Sequence, residues 1–413
     1  MNDFDRTPHV LVSGGGIAGL ALALQLVRSG IRTTVLERAE APRPGGQAVD
    51  LRGASREVAE RMGILPGIDR LRVHEEGMAY VDGEGKVFGR MSMADFDGEG
   101  AVAEIEIARG DLAQVLLDAL READEVMPGR LDLRYGDRLT ALTQDATGVD
   151  VQFEHAGPAR FDVVVGADGV HSATRRLAFG PEEQFATYLG GYAAFFTMPT
   201  PADLEEGWFA LRFVPGATFG IRPDRDPSTS KAILTLRMDR DAGLRGDRVA
   251  QEGLIRERLA GAGWHAPTVL AALGETSDLY FDELVRIDVP DVANGRVVLL
   301  GDAASCGSPM TGQGTATALI GAYLLAARLA ETPADPATAL RRYSADIAPF
   351  AAEGKDIPGG GIKRMVPATR FAAAMSRALT GLMFSRAMRP LVRRMFAGGT
   401  SLSLPEVTPL TVV

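Results

Sequence analysis

Three glycines near the start of the chain have the types and the spacing that bind a pyrophosphate. Gly14, Gly16 and Gly19 form a G-x-G-x-x-G turn between a short apolar run and the alanine- and leucine-rich stretch Ile17–Arg28. Gly14 permits a tight turn, Gly16 lets the backbone approach phosphates, and Gly19 lets helix and strand pack closely. The start of the predicted helix adds free N–H groups and a positive dipole end. The turn therefore predicts dinucleotide binding.

A carboxylate completes this first unit. The β-branched run at residues 33–36 is typical of a second strand, and Glu37 follows it directly. A carboxylate at that point can accept hydrogen bonds from the ribose hydroxyls of an adenine dinucleotide. Glycines alone could merely permit a tight turn, but the complete strand–helix–strand unit favours dinucleotide binding.

Two later segments also place small residues and an acid after a buried strand. Residues 161–165 lead into Gly-Ala-Asp-Gly with Asp168, and residues 295–300 lead into Gly-Asp-Ala-Ala with Asp302. Ligands of open α/β sheets bind beyond the carboxyl ends of the strands, so the three segments are predicted to converge there. Asp302 could accept hydrogen bonds from cofactor hydroxyls, and the N–H groups of residues 312–314, at a helix start, could stabilise negative charge.

Composition and charge exclude several other classes of protein. The chain has 413 residues, which suits two domains, and its formal net charge of −10 argues against nucleic acid as a partner. Its one cysteine, Cys306, can form neither an intramolecular disulfide nor a cysteine metal site, and no metal is predicted. The start of the chain does not resemble a signal peptide, and the apolar run 316–327 is too short for a transmembrane segment. We therefore expect a cytoplasmic protein.

The middle of the chain reads as a separate β-rich block. It contains strand-like runs, rich in aromatic and methionine residues, at residues 192–197, 209–213, 218–222 and 232–238. Ahead of this block, a small antiparallel layer is predicted from residues 131–135, 139–143 and 149–153.

The C-terminal region is basic although the whole chain is acidic. Between Gly361 and Ser403 there is no Asp or Glu, and apolar residues recur at helical spacing. The basic residues are Lys363, Arg364, Arg370, Arg377, Arg386, Arg389, Arg393 and Arg394. We interpret the region as helices docked on the acidic body, with an anionic membrane surface or an acidic substrate as alternatives.

Five motifs in a fixed order resemble those of the class A flavoprotein monooxygenases, the family with the para-hydroxybenzoate hydroxylase fold. They are GGGIAGL at 14–20, ER at 37–38, R-x-D at 109–111, DG-x-x-S-x-x-R at 168–175 and GDAA…P-x-x-G-x-G at 301–314. Within the family, the chain is most similar to bacterial polyketide-tailoring hydroxylases and tetracycline-inactivating monooxygenases. The resemblance covers about residues 8–330.

The resemblance implies an α/β fold, with a Rossmann-like FAD-binding domain, an inserted β-rich substrate domain and C-terminal helices. The FAD-binding domain would comprise residues 1–75, 104–181 and 280–355. The substrate domain would comprise residues 76–103 and 182–279, and residues 356–413 would form the C-terminal helices.

The family's cofactor residues can be carried over position by position. Glu37 and Arg38 would hold the AMP half of FAD, Asp302 would bind the ribityl–pyrophosphate region, and residues 309–314 would line the flavin ring. The full predicted FAD set is Gly14, Gly16, Ala18, Gly19, Glu37, Arg38, Gln47, Ala48, Val49, Arg109, Asp168, Asp302, Pro309, Gly312, Gln313 and Gly314.

The resemblance also implies hydroxylation of an aromatic or enolic, polyketide-like small molecule through a flavin C4a-hydroperoxide. The reaction would consume O2 and NADPH or NADH, as in antibiotic biosynthesis or resistance, and no catalytic side chain is assigned. Predicted substrate-lining residues are Phe213, Phe219, Gly220, Arg222 and Met238. One alternative is a redox-neutral cyclisation on retained FAD. A non-catalytic binding protein is disfavoured, because the flavin loop at residues 309–314 is retained. Oligomeric state and the choice of nicotinamide stay open.

Overall fold

A computed structural model describes residues 7–42, 45–92, 105–355, 361–385, 387–388 and 402–408. The described helices are α1 Ile17–Arg28, α2 Gly53–Arg61, α3 Leu65–Leu71, α4 Arg109–Val126, α5 Ala173–Ala178, α6 Arg248–Leu259, α7 Ala266–Glu275, α8 Gly314–Glu331, α9 Pro336–Glu353, α10 Ile362–Met365 and α11 Arg370–Met383. No helix among these is long and apolar enough to cross a membrane.

The described strands follow the same numbering along the chain. They are β1 His9–Ser13, β2 Arg32–Glu37, β3 Ala48–Leu51, β4 Gly77–Val81, β5 Val87–Ser92, β6 Ile105–Ala108, β7 Leu131–Tyr135, β8 Leu139–Gln144, β9 Val149–Phe153, β10 Ala159–Phe161, β11 Val163–Gly166, β12 Ala186–Pro199, β13 Trp208–Val214, β14 Ala217–Pro223, β15 Thr229–Arg237, β16 Tyr280–Asp288, β17 Ala293–Asn294, β18 Val297–Leu299 and β19 Ser305–Cys306.

The first sheet carries the three predicted segments. Its order is β17-β18-β11-β1-β2-β7, and every pair is parallel except β17 with β18. Helices α1, α4 and α8 pack together against one face, and side chains of β8, β9 and β10 pack against the other. Because both faces are covered, strands β11 and β18 consist of apolar residues and β1 is apolar at Val10, Leu11 and Val12. The predicted Rossmann-like α/β fold is confirmed.

One strand was predicted in the wrong sheet. Residues 131–135 form β7, which pairs in parallel with β2 at the edge of the first sheet. The small antiparallel layer consists instead of β8, β9 and β10. The side chains of β7 are all half-buried, so its pattern does not distinguish an edge strand of the main sheet from a strand of a small layer.

The second sheet has eight strands in the order β19-β16-β12-β15-β14-β13-β4-β5. One face is covered by α6 and α7, which complete a second apolar core. Strand β16, predicted within the third FAD-binding segment, pairs with β12 in this sheet. The predicted segment 76–103 supplies β4 and β5, and residues 93–104 lie outside the described part. The other domain boundaries stay predictions.

The described C-terminal residues lie on this body. Helix α11 packs on β5 and β13, and residues 402–408 return to the first core through Leu402, Leu404 and Val407. The first interpretation of the basic region, docking on the body, is therefore confirmed for α11. Arg386 and residues 389–401 lie outside the described residues.

Candidate active site

The three predicted segments converge at the carboxyl ends of the neighbouring strands β18, β11 and β1. A methyl group placed on Gly14 would lie 2.3 Å from the carbonyl oxygen of Ala167. A methyl group on Gly301 would lie 3.0 Å from the side chain of Ala18. The first segment is thus in close contact with both of the others, which confirms the predicted convergence.

The glycines of the first turn differ in what surrounds them. A methyl group on Gly19 would lie 1.9 Å from the carbonyl oxygen of Gly14, so this position requires close packing of helix and strand. At Gly16, by contrast, a methyl group would have no atom of the described residues within 4 Å. No side chain caps the N-terminus of α1, so its first N–H groups are available to a ligand. The open position and the uncapped helix suit a pyrophosphate.

Glu37 lies beside this turn with its carboxylate already fixed. One carboxylate oxygen accepts a 2.9 Å hydrogen bond from the N–H of Gly15, and the other accepts one of 2.9 Å from Ala39. Each oxygen can accept a further hydrogen bond, so the carboxylate remains able to bind ribose hydroxyls. The neighbouring Arg38 is exposed.

The carboxylate of Asp168 accepts hydrogen bonds from other residues of the second segment. It accepts a short hydrogen bond from the Ser172 hydroxyl, and bonds of 2.9 and 3.0 Å from the N–H and hydroxyl of Thr174. Arg175, at the end of the motif, is fully buried and donates a 3.0 Å hydrogen bond to the carbonyl of Ala303. The motif therefore fixes its own loop and ties it to the third segment.

A short antiparallel ribbon brings Gln47 and Arg109 together. Strand β3 pairs with β6, and the N–H of Arg109 donates a 3.0 Å hydrogen bond to the carbonyl of Gln47. Ala48 and Val49 lie in the same ribbon, opposite Ala108 and Ile107. The Arg109 side chain is exposed beyond the end of the ribbon.

Asp302 lies in a turn at the N-terminus of α8. A methyl group on Gly314 would lie 3.4 Å from its carboxylate. Burial raises the pKa of Asp302, and the positive charge of Arg109 partly offsets that effect. The half-buried carboxylate of Asp302 thus lies near a cation and beside a helix start.

The loop before α8 has an unusual backbone. Gly312 has a φ of 68°, and Ser308 has a φ of 75°, which is rare for a residue with a side chain. Gln313 is the N-cap of α8 but its side chain makes no capping hydrogen bond. Within the loop, the N–H of Gly312 donates to the carbonyl of Pro309 and the N–H of Gln313 donates to the hydroxyl of Thr311. The first N–H groups of α8, which begins at Gly314, have no side-chain cap and lie next to Asp302.

Known proteins match this chain in sequence and in fold. The model of a FAD-binding domain family matches residues 7–356. The chain belongs to this family. It is 36% identical over 358 residues to uncharacterized protein Rv1260 of Mycobacterium tuberculosis (strain ATCC 25618 / H37Rv), covering 85% of this chain and 94% of the relative. It is 32% identical over 345 residues to a flavin-dependent monooxygenase of an unknown prokaryotic organism, covering 84% and 87%.

A solved structure agrees with the family assignment. The crystal structure of tetracycline destructase Tet(55) matches with a TM-score of 0.77 and 28% identity, and the match covers 97% of this chain and 99% of that one. The predicted resemblance is confirmed. The chain is a FAD-dependent monooxygenase.

Gly16→Ala should weaken FAD binding and leave the fold intact. The φ of Gly16 is −82°, which alanine tolerates, and only ligand atoms could meet the new methyl group. We expect at least about a tenfold loss of affinity, equivalent to ~1.4 kcal/mol, measured by titrating apoprotein with FAD. Gly253→Ala in α6, also at an open position, is the control and should bind FAD normally. Equal affinity of both variants would contradict the placement of the pyrophosphate.

A row of six residues, one from each of six neighbouring strands, crosses the second sheet on the face opposite α6 and α7. Strand register aligns the members of this row, which we call the aromatic row: Tyr280, Phe195, Ile233, Gly220, Leu211 and Tyr80. The rings of Phe195 and Tyr280 stack 5.5 Å apart. Burial and then Asp282 raise the pKa of Tyr280, while Arg109 lowers it and Asp302 raises it. This end of the row therefore lies near Arg109 and Asp302, two of the predicted FAD residues.

The predicted substrate-lining residues fall on both faces of this sheet. The prediction that Phe219 lines the substrate site is wrong, because its ring is fully buried in the core under α6 and α7, 5.5 Å from the ring of Trp264. Met238 is half-buried and packs against the margin of that core, and its role at the substrate site stays a prediction. Gly220 belongs to the aromatic row, and Phe213 lies on the same face with its ring 5.4 Å from Tyr80.

Arg222, on the same face, is buried among carboxylates. It contacts Glu75 at 2.8 Å and Glu106 at 2.5 Å, and donates a 3.2 Å hydrogen bond to the carbonyl of Ala48. Burial raises the pKa of Asp50 to about 6 and that of Glu106 to about 7. Arg222 therefore ties the second sheet to the ribbon of Ala48 and stabilises a buried acidic cluster.

Sequence reasoning missed Phe195 and Tyr280. Both are aromatic residues of the second sheet, but neither strand has the strict polar–apolar alternation that would identify the open face. Tyr280 also fell outside the predicted substrate segment. The pairing of Phe195 with Tyr280, which is visible only in the sheet register, places them together.

His171 connects the second predicted segment to strand β16 of the second sheet. Its ring nitrogens lie 3.0 Å from Glu182 and 3.2 Å from Asp282, and Glu182 also contacts Arg175 at 3.1 Å. Hydrogen bonds to Asp282 and Glu182 raise the pKa of His171 to about 9. The residue is therefore a cationic bridge between two parts of the fold.

The bridge predicts a pH-dependent contribution to stability. Because the folded pKa of His171 is raised from 6.5 to about 9, its stabilisation is complete below pH 6.5 and is lost as pH rises through about 9. We expect His171→Gln to lower the free energy of unfolding by on the order of 2 kcal/mol near neutral pH, with the difference narrowing at alkaline pH. Urea unfolding of both proteins across this range tests it. The exposed His155→Gln is the control, and a pH-independent loss would contradict the bridge.

Proposed function

We propose that the enzyme hydroxylates an aromatic or enolic, polyketide-like small molecule with O2, and that NADPH or NADH is the reductant. The aromatic row carries the proposal, because stacked rings of Phe195 and Tyr280 next to half-buried Ile233 and Leu211 suit a flat, apolar substrate. The row ends near Arg109 and Asp302, which belong to the predicted FAD residues. The similarity to a tetracycline destructase supports a polycyclic substrate.

The predicted residues divide among the parts of FAD. We assign the turn of Gly14, Gly16 and Gly19, together with Ala18, to the pyrophosphate, and Glu37 with Arg38 to the adenosine half. Asp302 would hold the ribityl chain. The flavin ring would lie against residues 309–314 on one side and residues 47–49 with Arg109 on the other. Asp168 would act by positioning its loop.

The residues of this chain would bind the cofactor, orient the substrate and shield the site from water. Bound FAD supplies the electron transfer and oxygen chemistry. The uncapped N-terminus of α8 and the charge of Arg109 would stabilise negative charge on the ring. The aromatic row would exclude water and hold the substrate carbon toward the ring. The hydroxyl of Tyr280 donates a 3.3 Å hydrogen bond to the Asp282 carboxylate, which orients the first ring of the row.

The decisive experiment measures NAD(P)H oxidation by the FAD-loaded enzyme over a panel of phenolic and polyketide compounds, including a tetracycline. We expect one class to stimulate oxidation, with NAD(P)H, O2 and a product that has gained one oxygen atom in equal amounts. Phe195→Ala should raise the KM for that compound about tenfold through lost apolar contact, and leave FAD affinity unchanged. Product formed without consumption of NAD(P)H would show a redox-neutral reaction and overturn the proposal.

A further inference from the structure

Helix α11 presents a continuous apolar face to solvent. The outward residues are Phe371, Ala374, Met375, Ala378, Leu379 and Leu382, all of them exposed. Their spacing of i, i+3, i+4, i+7, i+8 and i+11 matches one face of an α-helix. Phe371 is 75% exposed, Leu379 58% and Leu382 61%. We call this set the apolar face of α11.

The opposite side of the helix is the one that packs on the body. Thr380 is buried, and a methyl group on Gly89 would lie 3.2 Å from its side chain. Met383 packs with Met91, and the ring of Phe384, just after the helix, lies 5.7 Å from that of Tyr80. The helix is therefore held in place by one side, while its more apolar side is not covered by any residue that the structure describes. Isolated exposed apolar residues are ordinary, but a contiguous stripe marks an interaction surface.

Positive charge is concentrated around the same helix. From Ile357 to Pro405 the sequence has no acidic residue, while the whole chain has a net charge of −10. Four arginines line a cleft of about 570 Å³ along one side of α11: Arg212, Arg258, Arg370 and Arg377. Two carboxylates lie there, Glu257 in the cleft lining and Asp82, which pairs with Arg377 at 2.9 Å. Among the described residues, this side of α11 thus carries four arginines against two carboxylates, an excess of positive charge.

We propose that α11 binds the surface of an anionic phospholipid bilayer, with its apolar face in the headgroup–acyl boundary and the arginines beside it contacting lipid phosphates. An exposed apolar stripe flanked by arginine is the pattern of an interfacial helix. The charge asymmetry supports this occupant, because an anionic surface attracts the α11 side and repels the acidic remainder, which fixes the orientation. The helix has 14 residues, so it lies on the membrane rather than across it.

The experiment is flotation of the FAD-loaded full chain with phosphatidylcholine vesicles, with and without phosphatidylglycerol. We expect binding to the anionic vesicles, and a marked loss of binding at high salt. The double variant Phe371→Gln/Leu379→Gln should bind at least about tenfold more weakly. Both side chains are exposed, so its melting temperature should match the wild type. Val249→Gln, at an apolar residue 81% exposed on α6, is the matched control and should bind as the wild type does.

Three results would overturn the proposal. The first is a folded, FAD-loaded protein that does not bind the anionic vesicles, or a double variant that binds them as the wild type does. The second is a wild-type dimer that becomes monomeric in the double variant, which would show that a second copy covers the face. The third is a monomer that ignores vesicles and loses thermal stability on double substitution, which would show that the chain covers its own helix.

Discussion

Asp302→Ala is expected to weaken FAD binding roughly 5- to 150-fold, because hydroxyl donors of the bound cofactor would lose a buried acceptor worth about 1–3 kcal/mol. The apoprotein should not lose stability. Burial raises the pKa of Asp302, which means that the ionised carboxylate is unfavourable in the fold without its ligand. Fluorescence titration with FAD measures the affinity, and thermal unfolding of the apoprotein measures the stability.

The two readouts separate a ligand role from a structural one. Asp302→Asn keeps the shape of the side chain and should bind FAD with intermediate affinity. Asp69→Ala, at an exposed position on α3, is the control and should change neither quantity. Wild-type FAD affinity in Asp302→Ala would contradict the assignment of the third segment. An apoprotein that unfolds at lower temperature would show that Asp302 supports the fold.

The cofactor side of the site was predictable because its chemistry constrains the sequence locally. A buried parallel strand, a glycine turn and a helix are contiguous, so Gly14, Gly16 and Gly19 identify their own context. The convergence of Asp168 and Asp302 on that turn follows from one rule, that parallel strands end at the same edge of a sheet. The contacts of Gly14 with Ala167 confirm it.

The substrate side was less predictable because it depends on which face of a sheet becomes covered. Phe219 and Gly220 are adjacent in β14, and alternation places them on opposite faces. Only the packing of α6 and α7, which come later in the chain, decides that Phe219 is in the core. The prediction for β7 was wrong for a similar reason, because β2, the strand with which it pairs, lies far away in the sequence.

Charged networks were the least predictable elements. His171 meets Asp282, and Arg222 meets Glu75, across large separations in sequence, with no motif that links them. Such pairs arise where two domains close on each other, and a single sequence does not encode their register in any local pattern. These ion pairs nonetheless hold the second sheet against the segments that contain the predicted FAD residues.

Arg222→Leu should cause the largest loss of stability. Arg222, Glu75 and Glu106 are 13%, 2% and 2% exposed in their side chains, so removing the guanidinium leaves buried carboxylates without their partner. Breaking a buried ion pair in this way costs about 3–5 kcal/mol. Burial alone would lower the pKa of Arg222, but Glu75, Glu106 and Asp50 outweigh it and raise it, so the cation persists at all ordinary pH values.

The loss should depend on pH in a defined direction. The folded pKa of Glu106 is raised from 4.5 to about 7, chiefly by burial, so its favourable protonation is complete below pH 4.5 and is lost as pH rises through about 7. Without Arg222 that pKa rises further. The variant should therefore be least destabilised in mild acid and most destabilised above pH 7, as measured by urea unfolding in both ranges.

Two further variants make the Arg222 test specific. Arg222→Leu/Glu106→Gln removes one of the unpaired charges, and should regain about 1–2 kcal/mol at alkaline pH and little in mild acid. Arg225→Leu, three positions along the chain, breaks an ion pair with Asp111 in which the arginine is 52% exposed, and should cost less than about 1 kcal/mol. Because Arg222 also donates to the carbonyl of Ala48, the single variant should weaken FAD binding even where it remains folded. A loss of stability that is equal at both pH values would show that packing, and not charge, is what Arg222 supplies.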